Sequence, residues 1–385
     1  IGEAERQQVR DHAGTVEREF SALNMLQATL PAHQITPLVT AANGGADPWI
    51  TMLGEDAALP TPPYQTETRS LTEAGAATGS GMPWTVAQAD RTVQNTQQLS
   101  VAVLDTGLDS SHAALTDRIV SQYDAVTGSQ NQAADRDGHG SHVAGIIAGV
   151  SAADGFAGVA AGIDLVNVRI GGDGVWRTSN IVDGIDWLIR HKTDQHTVVI
   201  NNSNTYVGRN NPFWTVALRT ATEAGLVVVT AAGDGFDEGA SIGAPAGVAQ
   251  AVTVGAANSK RQVTYYSSRG QADKDVIKPD VLAPADNIRS VQAAGQTSGG
   301  SYQFQSGTST ATPFVTGMAA LLVDRLTDAI RGVADNDARI DEDGWDGIDN
   351  DGDNLIDEDP GPWGYSAAEV RLVKSLILMT TAQAL

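Results

Sequence analysis

The sequence has no cysteine, which excludes disulfides, thiolate-held zinc and a thiol nucleophile. It has no apolar run of about 18 residues, so no helix is expected to cross a bilayer. Basic residues are scarce: 24 Lys and Arg stand against 46 Asp and Glu, a formal net charge of -22. Such a field repels phosphate backbones and argues against nucleic acid as a partner. What is present is a globular composition, with 41% hydrophobic residues and 41 Gly in 385 residues. That length accommodates two domains, or one large core with an appendage. The chain opens at Ile1 rather than Met, so a leader peptide is expected to be missing and the compartment must be inferred otherwise.

The acidity is concentrated. Between Asp335 and Asp359, 12 carboxylates and one base, Arg339, give a net of -11, half the charge of the whole chain in 25 residues. Within it Ile340-Asp-Glu-Asp, Ile348-Asp-Asn-Asp and Ile356-Asp-Glu-Asp recur with a period of eight, with Gly344 and Gly352 after the first two. Alternate Asp at Asp349, Asp351 and Asp353 around a glycine turn is a spacing that wraps oxygen ligands around Ca²⁺. Pro360 stands where an EF-hand would need Glu, so the expectation is a non-EF calcium loop with Asp341, Asp343, Asp346, Asp349, Asp351, Asp353, Asp357 and Asp359 as donors. The competing reading is a solvated acidic linker.

Residues 1–58 read as a small α+β unit. Residues 3 to 13 carry a helical pattern, 16 to 30 an extended one, Pro31 opens a helix, and Trp49 to Leu53 form a short apolar strand. These elements are too few for a core of their own and need a partner surface. Residues 59–81, with Pro60, Pro62 and Pro63 ahead of Thr, Ser, Ala and Gly, read as an exposed linker. From about residue 98 the pattern changes. Val101–Leu104, Leu165–Ile170, Val198–Ile200, Leu226–Val229 and Val252–Val254 are short β-branched runs, and helical stretches follow at His139–Val150, Ile181–His191 and Phe213–Ala224. The alternation predicts an α/β fold, a parallel sheet covered by helices on both faces. Chemistry then gathers at the carboxyl ends of strands, where Asp105 and Asp234 fall.

Three glycine-flanked polar sites stand out: Asp105 in VAVLDTGLD, His139 in DGHGSHVAG and Ser309 in SGTSTATP. A serine hydroxyl becomes a nucleophile when a histidine takes its proton, and the histidine needs a carboxylate to fix its tautomer. Each has a bland reading alone. Asp105 could cap a turn, His139 and His142 could be part of a metal pair that lacks a third ligand, and Ser309 could be a helix N-cap. Three matching contexts in the order Asp, His, Ser outweigh those readings.

These motifs, with KPDVLAP at 278 to 284, VTVGA at 252 to 256 and YYSSRG at 265 to 270, resemble the subtilisin-like serine proteases. The resemblance covers 82–385 apart from the acidic insertion at 335–360. It implies a doubly wound, mostly seven-stranded parallel sheet and a serine endopeptidase acting through an acyl-enzyme, with Asp105 orienting, His139 as base and then acid, and Ser309 attacking. FSALNMLQATLP and PWITMLGED resemble the later part of the inhibitor-like propeptides of that family, small ferredoxin-like domains that assist folding and plug the cleft; their first strand is expected before Ile1. Met82-Pro83-Trp84 is similar to the start of a mature domain, so processing is expected between Leu59 and Met82. By the same resemblance the enzyme is a secreted or cell-surface proenzyme, its partners are polypeptide substrates, its own propeptide and calcium, and a downstream segment or partner chain completes the domain beyond Leu385.

The chain departs from the family in several places. Where the family carries an oxyanion-binding Asn after Ala-Ala-Gly, LVVVTAAGDG has Asp234, beside which only the backbone N–H of Ser309 is expected to donate. An ionised carboxylate cannot donate, a protonated one can, and losing such a donor costs about 10² to 10³ in rate. Asp234 therefore reads as a buried neutral acid, as a substitution that slows the enzyme, or as the mark of a retired protease that binds peptides or serves assembly. Ser203, Asn204 and Thr205 replace the usual Ser-Leu-Gly of the substrate cleft; Gly171, Gly172 and Asp173 form the other edge, and Ala231, Ala232 and Gly233 one wall of the specificity pocket. Asn204 is expected to make the opposite wall more polar. Ala114 replaces the Asp of a strong calcium site of bacterial relatives, and that site is expected to be absent.

Overall fold

The computed structural model describes residues 2–43, 56, 65–67, 99–130, 132–153, 155–172, 175–205, 211–235, 242–273, 276–295, 301–331 and 367–382. Asp173, the Trp49 to Leu53 strand, Met82-Pro83-Trp84, most of the linker and the whole acidic insertion lie outside them.

Among the described residues the core is an eight-stranded sheet. Across it run Val281–Pro284, Val252–Ala257, Val227–Ala231, Thr197–Asn202, Ser100–Asp105, Asp164–Arg169, Ile119–Asp124 and Ser129–Gln130. The first seven are parallel to their neighbours and only Ser129–Gln130 is antiparallel. This is the doubly wound sheet that the apolar runs imply. Ile119–Asp124 was not legible as a strand, because IVSQYD is only half-buried and lacks a continuous apolar run.

Strand side chains alternate between the faces, so each strand feeds two cores. Val101, Val103, Leu165 and Val229 pack with Val143, Ile147, Ala311, Val315 and Ala319, from helices His139–Ala148 and Thr308–Arg331. Ala102, Leu104, Val166, Val168 and Val228 pack on the other face with Ile181, Ile185, Leu188, Trp214 and Leu218, from helices Thr178–His191 and Pro212–Glu223. The 181, 185, 188 spacing is one stripe of a helix, and each such side chain contributes about 1.5–3 kcal/mol on burial. Asn211 starts the second of these helices, its side chain accepting from Trp214 N with Pro212 in the first turn.

The upstream unit has helix Glu3–Asp11, a hairpin of Thr15–Phe20 and Met25–Thr29, and helix Ala32–Asn43. Phe20 and Leu23 join the second core cluster. Asp186, on helix Thr178–His191, accepts from Ala22 N (2.7 Å) and Leu23 N (3.3 Å) through Oδ1. Arg18 reaches Ala125 O (3.0 Å) and Asp183 (3.5 Å). Asp56 accepts from Ser179 N (2.9 Å) and Ser179 Oγ (2.8 Å) at the start of the same helix, which suits an anion. The last helix, Ala367–Ala382, is tied down by Lys374, which donates to Ala251 O beside buried Lys278 and Asp280. Burial lowers Lys278 to about 8.

Candidate active site

The carboxyl edge of the sheet gathers the three glycine-flanked motifs. Asp105 closes the strand between Thr197–Asn202 and Asp164–Arg169 and is fully buried. His139 begins its helix behind Gly138, whose φ of 96° is a left-handed turn that suits glycine. Ser309 is the second residue of the long helix Thr308–Arg331, after Gly307 at φ +152°.

His139 Nδ1 lies 2.7 Å from Asp105 Oδ1, which also accepts from Thr106 N at 2.8 Å. Helix and turn approach closely enough that a β-carbon on Gly140 would stand 2.2 Å from Gly107 O. Burial would lower the basicity of His139, but the facing Asp105 charge, with Asp137 and Asp135 behind it, holds the imidazole above its ordinary value. The Ser309 hydroxyl is buried and has no hydrogen-bond partner among the described residues, so its hydrogen bond to His139 is not formed in this structure.

Asp234 follows the strand Val227–Ala231 and faces Ser309 across Gly307. A β-carbon on Gly307 would lie 3.0 Å from Asp234 Oδ2 and 3.2 Å from Ser309 Oγ, so both oxygens border the same small space. Asp234 Oδ1 accepts from Thr308 N at 2.9 Å. Burial raises the acid to about 6, and the Thr308 bond only partly offsets it.

The subtilase family model matches residues 96–337. The chain belongs to the subtilase family. Subtilisin E of Bacillus subtilis (strain 168) is 30% identical to this subtilase over 329 residues, 82% of the chain and 75% of the relative. The extracellular serine proteinase of Thermus sp. (strain Rt41A) is 38% identical over 220 residues, 57% of the chain and 49% of the relative. Among solved structures, Sphericase (TM-score 0.54, 30% identity, 59% of this chain and 77% of that one) and S41 Psychrophilic Protease (TM-score 0.55, 31% identity, 61% and 81%) share the fold. The subtilase is a serine endopeptidase with polypeptide substrates.

Other expected site residues are placed as follows. Gly171–Gly172 forms a short edge strand paired with Val175–Trp176, and the Trp176 ring covers Gly171. Ala231 and Ala232 are buried, and Gly233 donates its N–H to Thr308 Oγ1 (3.1 Å). Ser203 Oγ donates to Ser309 O (3.0 Å), and Thr205 is buried. Asn204 departs from expectation: its amide does not make a polar pocket wall but turns inward to Leu104 O (3.0 Å) and Asp105 Oδ2 (3.4 Å). The reason is that both acceptors are buried at the end of the neighbouring strand and an amide can serve them at once.

The subtilase also uses residues that sequence reading missed. Asp135 gathers Thr106 Oγ1 (2.9 Å), Gly138 N (2.8 Å), Ser141 N (2.9 Å) and Ser141 Oγ (2.6 Å), tying the DTG turn to the histidine helix. Its nearness to DGHGSH was the available signal, but a carboxylate in an acidic chain does not announce its partners. Among the described residues, no group of three or more His, Asp or Glu could hold a metal.

Proposed function

We propose that Asp105, His139 and Ser309 hydrolyse peptide bonds through an acyl-enzyme in a secreted proenzyme that carries its own propeptide. The observation that carries the reading is the buried 2.7 Å contact of His139 with Asp105 at the sheet edge that also presents the Ser309 hydroxyl. His139 takes the Ser309 proton as the hydroxyl attacks the carbonyl, and Asp105 stabilises the imidazolium. The tetrahedral oxygen is stabilised by Ser309 N–H and by protonated Asp234. His139 then returns its proton to the leaving amine, and water completes the second half in the same way. An extended peptide pairs along Gly171, Gly172 and Asp173 on one edge and Ser203 to Thr205 on the other, its side chain passing Ala231, Ala232 and Gly233.

The upstream unit supports the proenzyme reading, because Asp186, Asp183 and Asp56 join it to the catalytic core. Gln65–Glu67 adds to this by pairing antiparallel with Tyr302–Ser306, Gln65 opposite Ser306, three residues before Ser309. Calcium would be held by the carboxylates of the 335–360 insertion, an all-oxygen donor set suited to a hard cation, and would neutralise their repulsion. Export rests on that calcium demand and on the likeness to a proteinase named extracellular.

The test is labelling with a fluorophosphonate probe, together with following the linker, in wild type and Ser309→Ala. Wild type should label and cut its linker while Ser309→Ala does neither; equal labelling of the variant would overturn the assignment.

A further inference from the structure

We infer that Asn204 is a positioning residue that holds the second oxygen of the Asp105 carboxylate. The inference rests on the Asp105, His139 and Ser309 reading above. The two oxygens of Asp105 are served differently. Oδ1 meets both His139 Nδ1 (2.7 Å) and Thr106 N (2.8 Å), whereas among the described residues Oδ2 has one donor, Asn204 Nδ2 at 3.4 Å. Asp105 is 0% and Asn204 1% exposed, so water does not readily replace that donor.

The orientation of the amide follows from its surroundings. The same Nδ2 donates to Leu104 O at 3.0 Å, so its two hydrogens face two acceptors. Turning the amide over would set its oxygen against a carbonyl and a carboxylate, two acceptors with nothing to give, so only the observed orientation is satisfied. The loop that carries Asn204 is itself fixed. Asn202 Nδ2 donates to Asn204 O (2.8 Å) and Thr230 Oγ1 (3.0 Å), and Ser203 Oγ donates to Ser309 O (3.0 Å). One turn at the end of strand Thr197–Asn202 thus touches both the acid of the triad and the main chain of its nucleophile.

The chemical consequence concerns His139. A donor on Oδ2 withdraws charge from the carboxylate and stops it rotating about its terminal bond, so that Oδ1 stays in line with Nδ1–H. Without it, the charge is expressed more fully toward His139, the imidazolium is held more tightly, and the ring is oriented less well. Asn204 would act on turnover and on the acid limb of the pH profile, not on ground-state binding. A pocket wall would do the reverse, changing KM and the side-chain preference at the scissile bond.

The experiment compares wild type, Asn204→Leu, Asn204→Asp, Asn204→Ser and Ser309→Ala as full chains allowed to cut their linker. kcat and KM are measured on a set of peptides differing in the residue before the scissile bond, from pH 5 to 10. Asn204→Leu should lose about ten- to a hundredfold in kcat, the usual worth of a hydrogen bond to a charged group, with KM within about twofold. Read in an Asp234→Asn background, where His139 alone sets the acid limb, the same substitution should move that limb up by roughly half a unit or more, with unchanged side-chain preference. Asn204→Ser, which can still donate, should recover part of both effects, and Asn204→Asp should lose most because a second charge meets Asp105. An Asn204→Leu enzyme with the wild-type kcat and pH profile, or one changed only in KM and preference, overturns the proposal while inactive Ser309→Ala leaves the triad standing. If Ser309→Ala is fully active, the triad reading falls instead. Should Asn204→Leu fail to fold, the acid limb of Asn204→Ser in the Asp234→Asn background decides, and its coincidence with that of Asp234→Asn alone at reduced kcat overturns the proposal.

Discussion

Asp234 and His139 ask opposite things of the solution. For its proposed oxyanion role Asp234 must be protonated, and burial raises it only to about 6. The base must be neutral, and the Asp105 charge outweighs burial to hold His139 above the ordinary histidine value of 6.5. Raising the pH frees His139 but ionises Asp234, so the productive combination is a minority form at every pH. The expected kcat/KM profile is bell-shaped, with its acid limb near pH 6 and its fall beginning once His139 is neutral and each further unit only ionises Asp234. Asn in place of Asp234 removes the falling alkaline limb, because an amide donates at any pH. At pH 8, two units above the value to which burial raises Asp234, Asp234→Asn should be faster by about 10², since each unit is tenfold. Stopped assays across the pH range check this, and an alkaline fall that survives the substitution would count against a donor role. The motifs made Asp105, His139 and Ser309 legible, because each needs glycines beside it where backbones meet. The direction of the Asn204 amide was not legible, since it depends on acceptors a hundred residues away, at Leu104 and Asp105.

At the scale of elements, helix Thr178–His191 is the dock for the upstream unit. Asp186 accepts two backbone N–H groups from Ala22 and Leu23 while Arg190 balances its other oxygen at 2.8 Å. Hydrogen bonds to a charged group are each worth about 1.5–3 kcal/mol, so Asp186→Ala should weaken retention of the cleaved upstream segment by ten- to a hundredfold or more. Competition binding with the processed protein measures it, and unchanged retention would mean that the apolar contacts of Phe20 and Leu23 carry the dock. The strand Gln65–Glu67 makes a second statement. It runs away from Ser309 along Tyr302–Ser306, as the part of a substrate after the scissile bond would. The processing bond is therefore expected on the N-terminal side of Gln65, within the interval that begins at Leu59. Mass spectrometry of the matured chain should find a new N-terminus at or before Gln65, and one beyond Glu67 would rule out this pairing as the processing pose. The helical and extended patterns of residues 3 to 31 were readable from periodicity, but where the unit docks was not, because Asp186 and Phe20 meet only in the folded chain.

For the whole molecule, charge is the dominant sequence property. The formal net charge is -22, and half of it lies between Asp335 and Asp359. Self-repulsion of that size opposes compaction unless a cation neutralises it. Calcium bound there would stabilise the native state by mass action, so excess EDTA should lower the melting temperature by several degrees, restored by calcium but not by matched ionic strength. Identical melting curves with and without chelator would remove calcium from the account. The sequence by itself determined the class of this protein. Its β-branched runs alternating with helical stretches call for a parallel sheet covered by helices, and its three glycine-flanked motifs supply an acid, a base and a hydroxyl in the order of the family they resemble. Only the tertiary structure decided how those groups are held. Proximity among Asp105, Asn204, Asp234 and Gly307 comes from strands far apart in sequence, and hydrogen-bond direction and desolvation, which set both geometry and basicity, exist only once they have closed on one another.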